Sequence, residues 1–260
     1  MAIAGLCGAG GHARWYGSPV SAYLYAAETA EKWLAETSAT EVIIAGTGDD
    51  PARDEFAAVF GVLLRDVPHR FVNIQQAALF PEGAAVVLLH PAPAPLMDLY
   101  ATAATAERTI PLRPGEGFLM VVTLPAHSAP TPSSPFVPLR WLSNGVNFVG
   151  VDAPRPNGDF RLYWEVGEPR VDGRYYFLNH VQDALGNELA QTDVPALAMS
   201  QWRPGDVVVS RFVLQDLEKG VRPLTIRTGM YHFPSLEQIY LLDENAAPYE
   251  DAAETIVPLD

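Results

Sequence analysis

The sequence predicts a small α/β layer with a mainly parallel sheet, followed by an antiparallel β-sandwich. Three observations carry this expectation. From Phe160 to Tyr240, short runs of aromatic and β-branched residues alternate with Gly, Pro or Asp turns, and no helical pattern intervenes. Before about residue 126, helical and strand patterns alternate instead. Between them, His127 to Pro138 crowds Pro130, Pro132, Pro135 and Pro138 among Ser, Thr and Ala, a run that stays extended and forms no core of its own. The expected organisation is a flexible leader at 1–11, an α/β domain at 12–126, a linker at 127–135 and a sandwich at 136–260.

In the first half, Ser21 to Thr37 spaces Leu24, Ala27, Ala30 or Glu31, and Leu34 as an amphipathic helix does, with Trp33 beside them. Glu41 to Ala45 is a buried strand that ends in Gly46-Thr-Gly48. Asp50-Pro51 reads as an N-cap followed by Pro at the first helical position, with Phe56, Val59, Phe60 and Leu63 as that helix's apolar face. Arg70 to Ile74 and Ala84 to Leu89 are further strands, the second apolar enough to be covered on both faces. Leu96 to Ala106 suggests a short helix, and Gly117 to Leu124 a last strong strand.

In the second half, Phe160 to Val166 alternates Phe160, Leu162, Trp164 and Val166 against Arg161, Tyr163 and Glu165, the pattern of a strand with one buried face. Arg174 to Val181 follows and turns at Asp183 to Asn187. Trp202 to Asp206 is a Pro-Gly turn that opens the strand Val207 to Leu214, and Leu224 to Phe233 and Gln238 to Leu242 complete the series.

The run YYFLNHVQDALGNELAQTDVPAL, then WRPGDVVVSRFVL, then LTIRTGMYHF resembles the soluble C-terminal β-sandwich of bacterial membrane glycosyltransferases of the dolichyl-phosphate-mannose protein mannosyltransferase type. AYLYAAETAEKWL, EVIIAG and AAVVLLHPAP are similar, more loosely, to the α/β segment that precedes that sandwich. The resemblance spans roughly residues 20 to 258 and implies a location outside the cytoplasmic membrane, with membrane association through another segment or partner. It implies an accessory role rather than the transfer reaction. The family's catalytic base is an acidic residue in a loop between membrane helices, whereas Asp54-Glu55 here belongs to a soluble amphipathic helix.

Composition excludes several classes. The chain has 260 residues and a formal net charge of −14, and both halves are acidic. Its few lysines, Lys32 and Lys219, and scattered arginines make no cluster for nucleic acid or anionic lipid. A single cysteine, Cys7, rules out an internal disulfide and a cysteine-based zinc site. No run reaches the apolar length of a membrane span, and Met1 to Gly11 lacks the basic start and apolar stretch of a signal peptide; it reads as a leader or as the tail of something upstream.

Two groups of residues are candidates for ligand binding. Asp49 and Asp50 follow the first strand, where α/β sheets place ligands, and suit hydroxyls or a cation; helix capping explains Asp50 equally well. The second group is aromatic. Trp141, Tyr163, Trp164, Tyr175, Tyr176, Trp202, Tyr231 and Tyr240 include outward-facing members by alternation, and such rings near Asp, Asn and Arg make a sugar platform; of these, Tyr163, Trp164, Tyr176 and Trp202 are singled out. The competing reading is that most of them fill the core.

No dinucleotide fingerprint, Walker loop or nucleophile elbow is present, and His69, His90, His127, His180 and His232 have no metal-ligand spacing, so neither cofactor nor metal is expected. His180 and His232 could be neighbours on adjacent strands. The leading functional expectation is a non-catalytic module that binds glycan, acceptor or lipid-linked sugar, or docks on a membrane partner. The alternatives are an assembly subunit holding a partner protein, which an exposed apolar patch would favour, and a soluble enzyme at the Gly46–Asp50 loop, which a pocket joining that loop to a histidine would favour.

Overall fold

The computed structural model describes residues 19–152, 158–168, 173–213, 225–243, 245, 247–248 and 254–258. The expected leader at 1–11 and the expected strand ends Leu214 and Leu224 lie outside them. The fold is mixed α/β and mostly strand, with one mixed sheet and two antiparallel ones.

The first half forms α1 (Pro19–Glu36), β1 (Glu41–Gly46), α2 (Glu55–Leu63), β2 (His69–Asn73), β3 (Ala77–Phe80), β4 (Ala85–Leu89), α3 (Met97–Ala103), β5 (Ala106–Pro111) and β6 (Phe118–Leu124). Five of these strands make a sheet in the order β2-β1-β4-β6-β5, in which β1 runs parallel to β2 and β4 while β6 runs antiparallel to β4 and β5. Alternation along each strand splits the sheet's side chains between two cores. Val42, Ile44, Val86, Leu88, Leu119 and Val121 pack beneath α1 and α2, whereas Ile43, Ala45, Val87, Leu89, Val122 and Leu124 face the opposite way, towards α3 and the rest of the chain. The side of α1 that meets the sheet is its alanine stripe, Ala22, Ala26 and Ala30, with no exposure, while Leu24 is 44% exposed. Small residues let helix and sheet approach closely, a use of alanine that the spacing of the larger residues conceals.

α2 begins later than Asp50-Pro51 suggests. Its N-cap is Asp54, and Asp50 instead opens the preceding turn, where its Oδ1 accepts the Ala52 N–H at 2.9 Å. Asp54 does not cap with its side chain, because its Oδ2 accepts the Asp50 N–H at 2.8 Å.

The second half contributes β7 (Ser134–Trp141), β8 (Val146–Val151), β9 (Asp159–Val166), β10 (Arg174–Gln182), β11 (Glu188–Gln191), β12 (Val194–Pro195), β13 (Val207–Val213), β14 (Thr225–Phe233), β15 (Glu237–Gln238) and β16 (Glu254–Pro258). One antiparallel sheet has the order β3-β13-β9-β8-β7; the other runs β11-β10-β14-β15, with β12 paired to β10 and β16 to β14. The expected Pro-rich linker is partly strand. β7 holds Pro135 and Pro138 and sits at a sheet edge, where a residue without an N–H leaves no ladder bond unmade. The run Gln238 to Leu242 is strand only at its start and continues through the bridges of Leu241 to Leu142 and of Leu242 to Pro248.

β3 comes from the first half yet pairs with β13 in the second, from Val207 opposite Phe80 to Ser210 opposite Ala77. One apolar cluster accordingly runs from Ile43 and Val87 in the mixed sheet, past Tyr100 on α3, to Trp164 and Phe177. Tyr100 hydroxyl sits between the Leu79 N–H and C=O, at 2.8 and 3.1 Å, and ties α3 to β3. The rings of Trp164 on β9 and Phe177 on β10 stack at 4.8 Å and join the two antiparallel sheets.

A buried ionic cluster fastens the halves. Arg70 on β2, 2% exposed, donates through Nε and Nη2 to both oxygens of Glu41 on β1, at 2.8 and 2.6 Å. Its Nη1 and Nη2 also donate to the Asp206 carboxylate at the turn before β13, and Nη1 reaches the Gln201 carbonyl at 2.7 Å. Arg203 completes the set, donating its Nη1 to Glu41 at 2.9 Å and its N–H to Asp206 at 2.7 Å. Burial works against the Arg70 charge, but Asp206 and Glu41 outweigh it and hold the guanidinium more firmly protonated than an ordinary arginine. Removing Arg70 leaves two buried carboxylates with only Arg203 to neutralise them, so Arg70→Met is expected to cost about 3–5 kcal/mol in urea unfolding followed by circular dichroism.

Candidate functional site

A cleft of about 510 Å³ opens where the C-terminal ends of β1 and β2 meet the start of β10 and the segment after β12. Thr47 to Asp50, with Arg53 and Asp54, form one wall, Asn73, Gln76 and Ala77 lie at the base, and Arg174, Tyr175 and Tyr176 with residues 195–198, 200 and 201 form the other. The first wall exists because β1 ends in a glycine-bearing loop. A Cβ on Gly48 would stand 2.1 Å from Cγ of Asp54, so only glycine lets that carboxylate lie across the loop and accept the Asp50 N–H. The second wall is fixed to the first half by Gln201, whose Oε1 accepts the Phe71 N–H at 2.9 Å, and by the Arg70 bond to the Gln201 carbonyl.

The three aspartates of the first wall differ in their commitments. Asp54 is spent on the loop, and Asp50 divides between the Ala52 N–H and Arg53, 3.5 Å away. Asp49 is half-buried and its carboxyl is pushed above the usual range, mainly by burial and further by the neighbouring charges of Asp54 and Asp50; its own backbone N–H and Arg174 oppose the rise. That Arg174 acts on Asp49 means the two walls are electrostatically in touch across the cleft.

The sequence-derived candidates therefore separate. Asp49, Asp50 and Tyr176 meet at this cleft. Trp164, Tyr163 and Trp202 do not serve as outward platforms, being 1%, 2% and 4% exposed. Alternation puts Tyr163 and Trp164 on opposite faces of β9, as expected, but both faces are covered. Trp164 faces Phe177 and donates its Nε1–H to Ser210 at 3.0 Å; on the other face, Tyr163 donates to Asp152 at 2.8 Å and its neighbour Arg161 pairs with Asp98 on α3. Trp202 sits at the buried turn beside the ionic cluster. Arg174, Asn73, Gln76 and Gln201 escaped notice in the sequence. Arg174 had a visible signal, since it shares a strand face with Tyr176.

The histidines serve locally. His180 pairs with Glu188 at 2.8 Å, His232 Nδ1 lies 2.8 Å from Ser235 Oγ, and His90 accepts the Ala92 N–H at 3.0 Å. His180 and His232 are not neighbours, because the register sets His180 opposite Arg227 and His232 opposite Tyr175. Among the described residues no three His, Cys, Asp or Glu side chains converge to hold a metal, and no helix is long and apolar enough to cross a membrane. Compared with protein-family models, curated proteins and solved structures, the chain matches none of them.

Two outcomes test these placements. Trp164→Ala removes a core side chain and is expected to cost about 3–5 kcal/mol in the same urea assay. Asp49 behaves oppositely. Its folded value lies above its unfolded one, so its contribution is most favourable below the unfolded value and is lost as pH rises through the folded one. Asp49→Asn should therefore raise stability at pH 7 relative to the native chain, with the difference vanishing in acid, as thermal unfolding across that range would show.

Proposed function

We propose that this chain is a carbohydrate-binding accessory module of a glycosyltransferase-like membrane protein, held outside the cytoplasmic membrane through another segment or a partner. In this reading the two antiparallel sheets are a sandwich, the mixed sheet is the α/β layer in front of it, and the glycan sits in the cleft between them. The single observation that carries it is the meeting of Asp49 and Asp50 with Tyr176 and Arg174 at one cleft. Carboxylates, amides and a guanidinium supply acceptors and donors for vicinal hydroxyls, and a tyrosine ring offers a surface for a sugar's C–H face. The cleft's polar groups come from both halves of the chain, so binding depends on their docking.

The test is a glycan array probed with the purified chain, followed by calorimetry on the best ligand. Asp49→Asn and Tyr176→Ala should each weaken binding by about tenfold, corresponding to about 1.4 kcal/mol. Affinity should fall on acidification as the Asp49 carboxylate takes up its proton, at a pH above the range of ordinary aspartates, and Asp49→Asn should abolish that dependence. An array without a single saturable ligand for the native chain refutes the proposal.

A further inference from the structure

We infer that the cleft is one end of a longer track, and that its occupant is an oligosaccharide of several sugar residues laid across the outer face of the sheet β11-β10-β14-β15. The inference rests on the carbohydrate-binding reading of the cleft and names the size class of its ligand. Its basis is a row of side chains in register. Pro195 on β12 stands opposite Tyr176 on β10, Tyr176 opposite Tyr231 on β14, and Tyr231 opposite Gln238 on β15. Directly opposed residues in antiparallel pairs share a face, so these four form one line across four strands.

The line faces outward, because the alternate residues Tyr175, Phe177 and Val181 fill the core. Pro195 and Gln238 are exposed, and Tyr176 and Tyr231 are half-buried. At ~4.8 Å per strand, three steps extend about 14 Å, a length suited to a short oligosaccharide rather than to one sugar ring. Pro195 and Tyr176 also line the cleft, so the row starts where the cleft ends.

The aromatic members form one surface. The rings of Tyr176 and Tyr231 stack at 5.6 Å and 21°, and Phe233, 41% exposed, packs against Tyr176 at 5.1 Å. Polar groups accompany them. Tyr231 hydroxyl donates to the exposed carboxylate of Asp193 at 3.1 Å, Arg174 is paired opposite Phe233, and Gln238 closes the far end. This mixture of ring surface with an acid, an amide and a guanidinium matches a chain of sugars, each with an apolar face and a rim of hydroxyls. An apolar protein surface laid here would strip water from Asp193, Arg174 and Gln238 and offer no polar group in its place.

Calorimetry with three oligosaccharide ladders, of the maltose, cellulose and mannan series, each from mono- to hexasaccharide, tests the inference. In at least one ladder the native chain should gain about tenfold in affinity between monosaccharide and tetrasaccharide and then level off. The double variant Tyr231→Ala, Phe233→Ser alters half-buried and exposed positions; with its fold checked by circular dichroism, it should lose that gain and bind the hexasaccharide about as weakly as the monosaccharide. Equal affinity at every length in all the ladders that bind, or a gain that survives the double variant, overturns the track and leaves the cleft standing. If no member of any ladder binds the native chain while the array yields a ligand of another kind, the track fails alone; if neither yields a ligand, both fail.

Discussion

The Arg70 guanidinium, divided between Glu41 and Asp206, is the constraint on which the arrangement of this protein depends. Glu41 and Arg70 belong to neighbouring parallel strands of the mixed sheet, while Asp206 and Arg203 belong to the turn that opens β13. Charges so deeply buried gain little net stability over apolar replacements, because leaving water costs nearly as much as the pairing returns. What the cluster supplies is position. Arg70 also holds the Gln201 carbonyl, and the Gln201 amide oxygen holds the Phe71 N–H, so the segment after β12 is registered against Arg70 and Phe71 of β2 within hydrogen-bond tolerance. The two walls of the cleft are thus set before any ligand arrives, which spares binding the cost of ordering them.

The aromatic side chains divide along the same line between framework and surface. Both faces of β9 are buried, Trp164 against Phe177 of β10 and Tyr163 on the face where Arg161 meets Asp98 of α3, so its tyrosine and tryptophan became core. On the sheet containing β10, Tyr175, Phe177 and Val181 fill the core while Tyr176 and Tyr231 are half-buried. Its outward residues kept an exposed surface, and Tyr176 links that surface to Asp49 and Asp50.

Much of this was legible in the sequence for physical reasons. Period-two alternation marked β9, β10, β13 and β14 almost to their ends, and apolar runs marked β1 and β4, because burial on one or both faces writes itself into composition. β3 and β8 were missed even though turn residues bound them, Pro81 and Gly83 after β3 and Asn144-Gly145 before β8, and β5 was obscured by its exposed, charged residues. The parallel character of the first sheet was overread, since β6 is antiparallel to β4 and the pattern of a buried strand carries no direction. Asp49, Asp50 and Tyr176 could each be nominated from local chemistry, but that Tyr163 and Trp164 would both be covered is a fact of sheet stacking that no single strand encodes. The ionic cluster left a trace in hindsight: Glu41 and Arg70 are charges inside otherwise apolar strands, and such charges call for partners.

β3 has a consequence for biogenesis. As the polypeptide leaves the ribosome, Ala77 to Phe80 emerges as an entirely apolar strand long before the segment it pairs with, Val207 to Ser210. In the interval β3 lacks β13, the strand it pairs with, and contacts of such long sequence separation form slowly. A nascent chain of this design has reason to keep a chaperone close until β13 has been made.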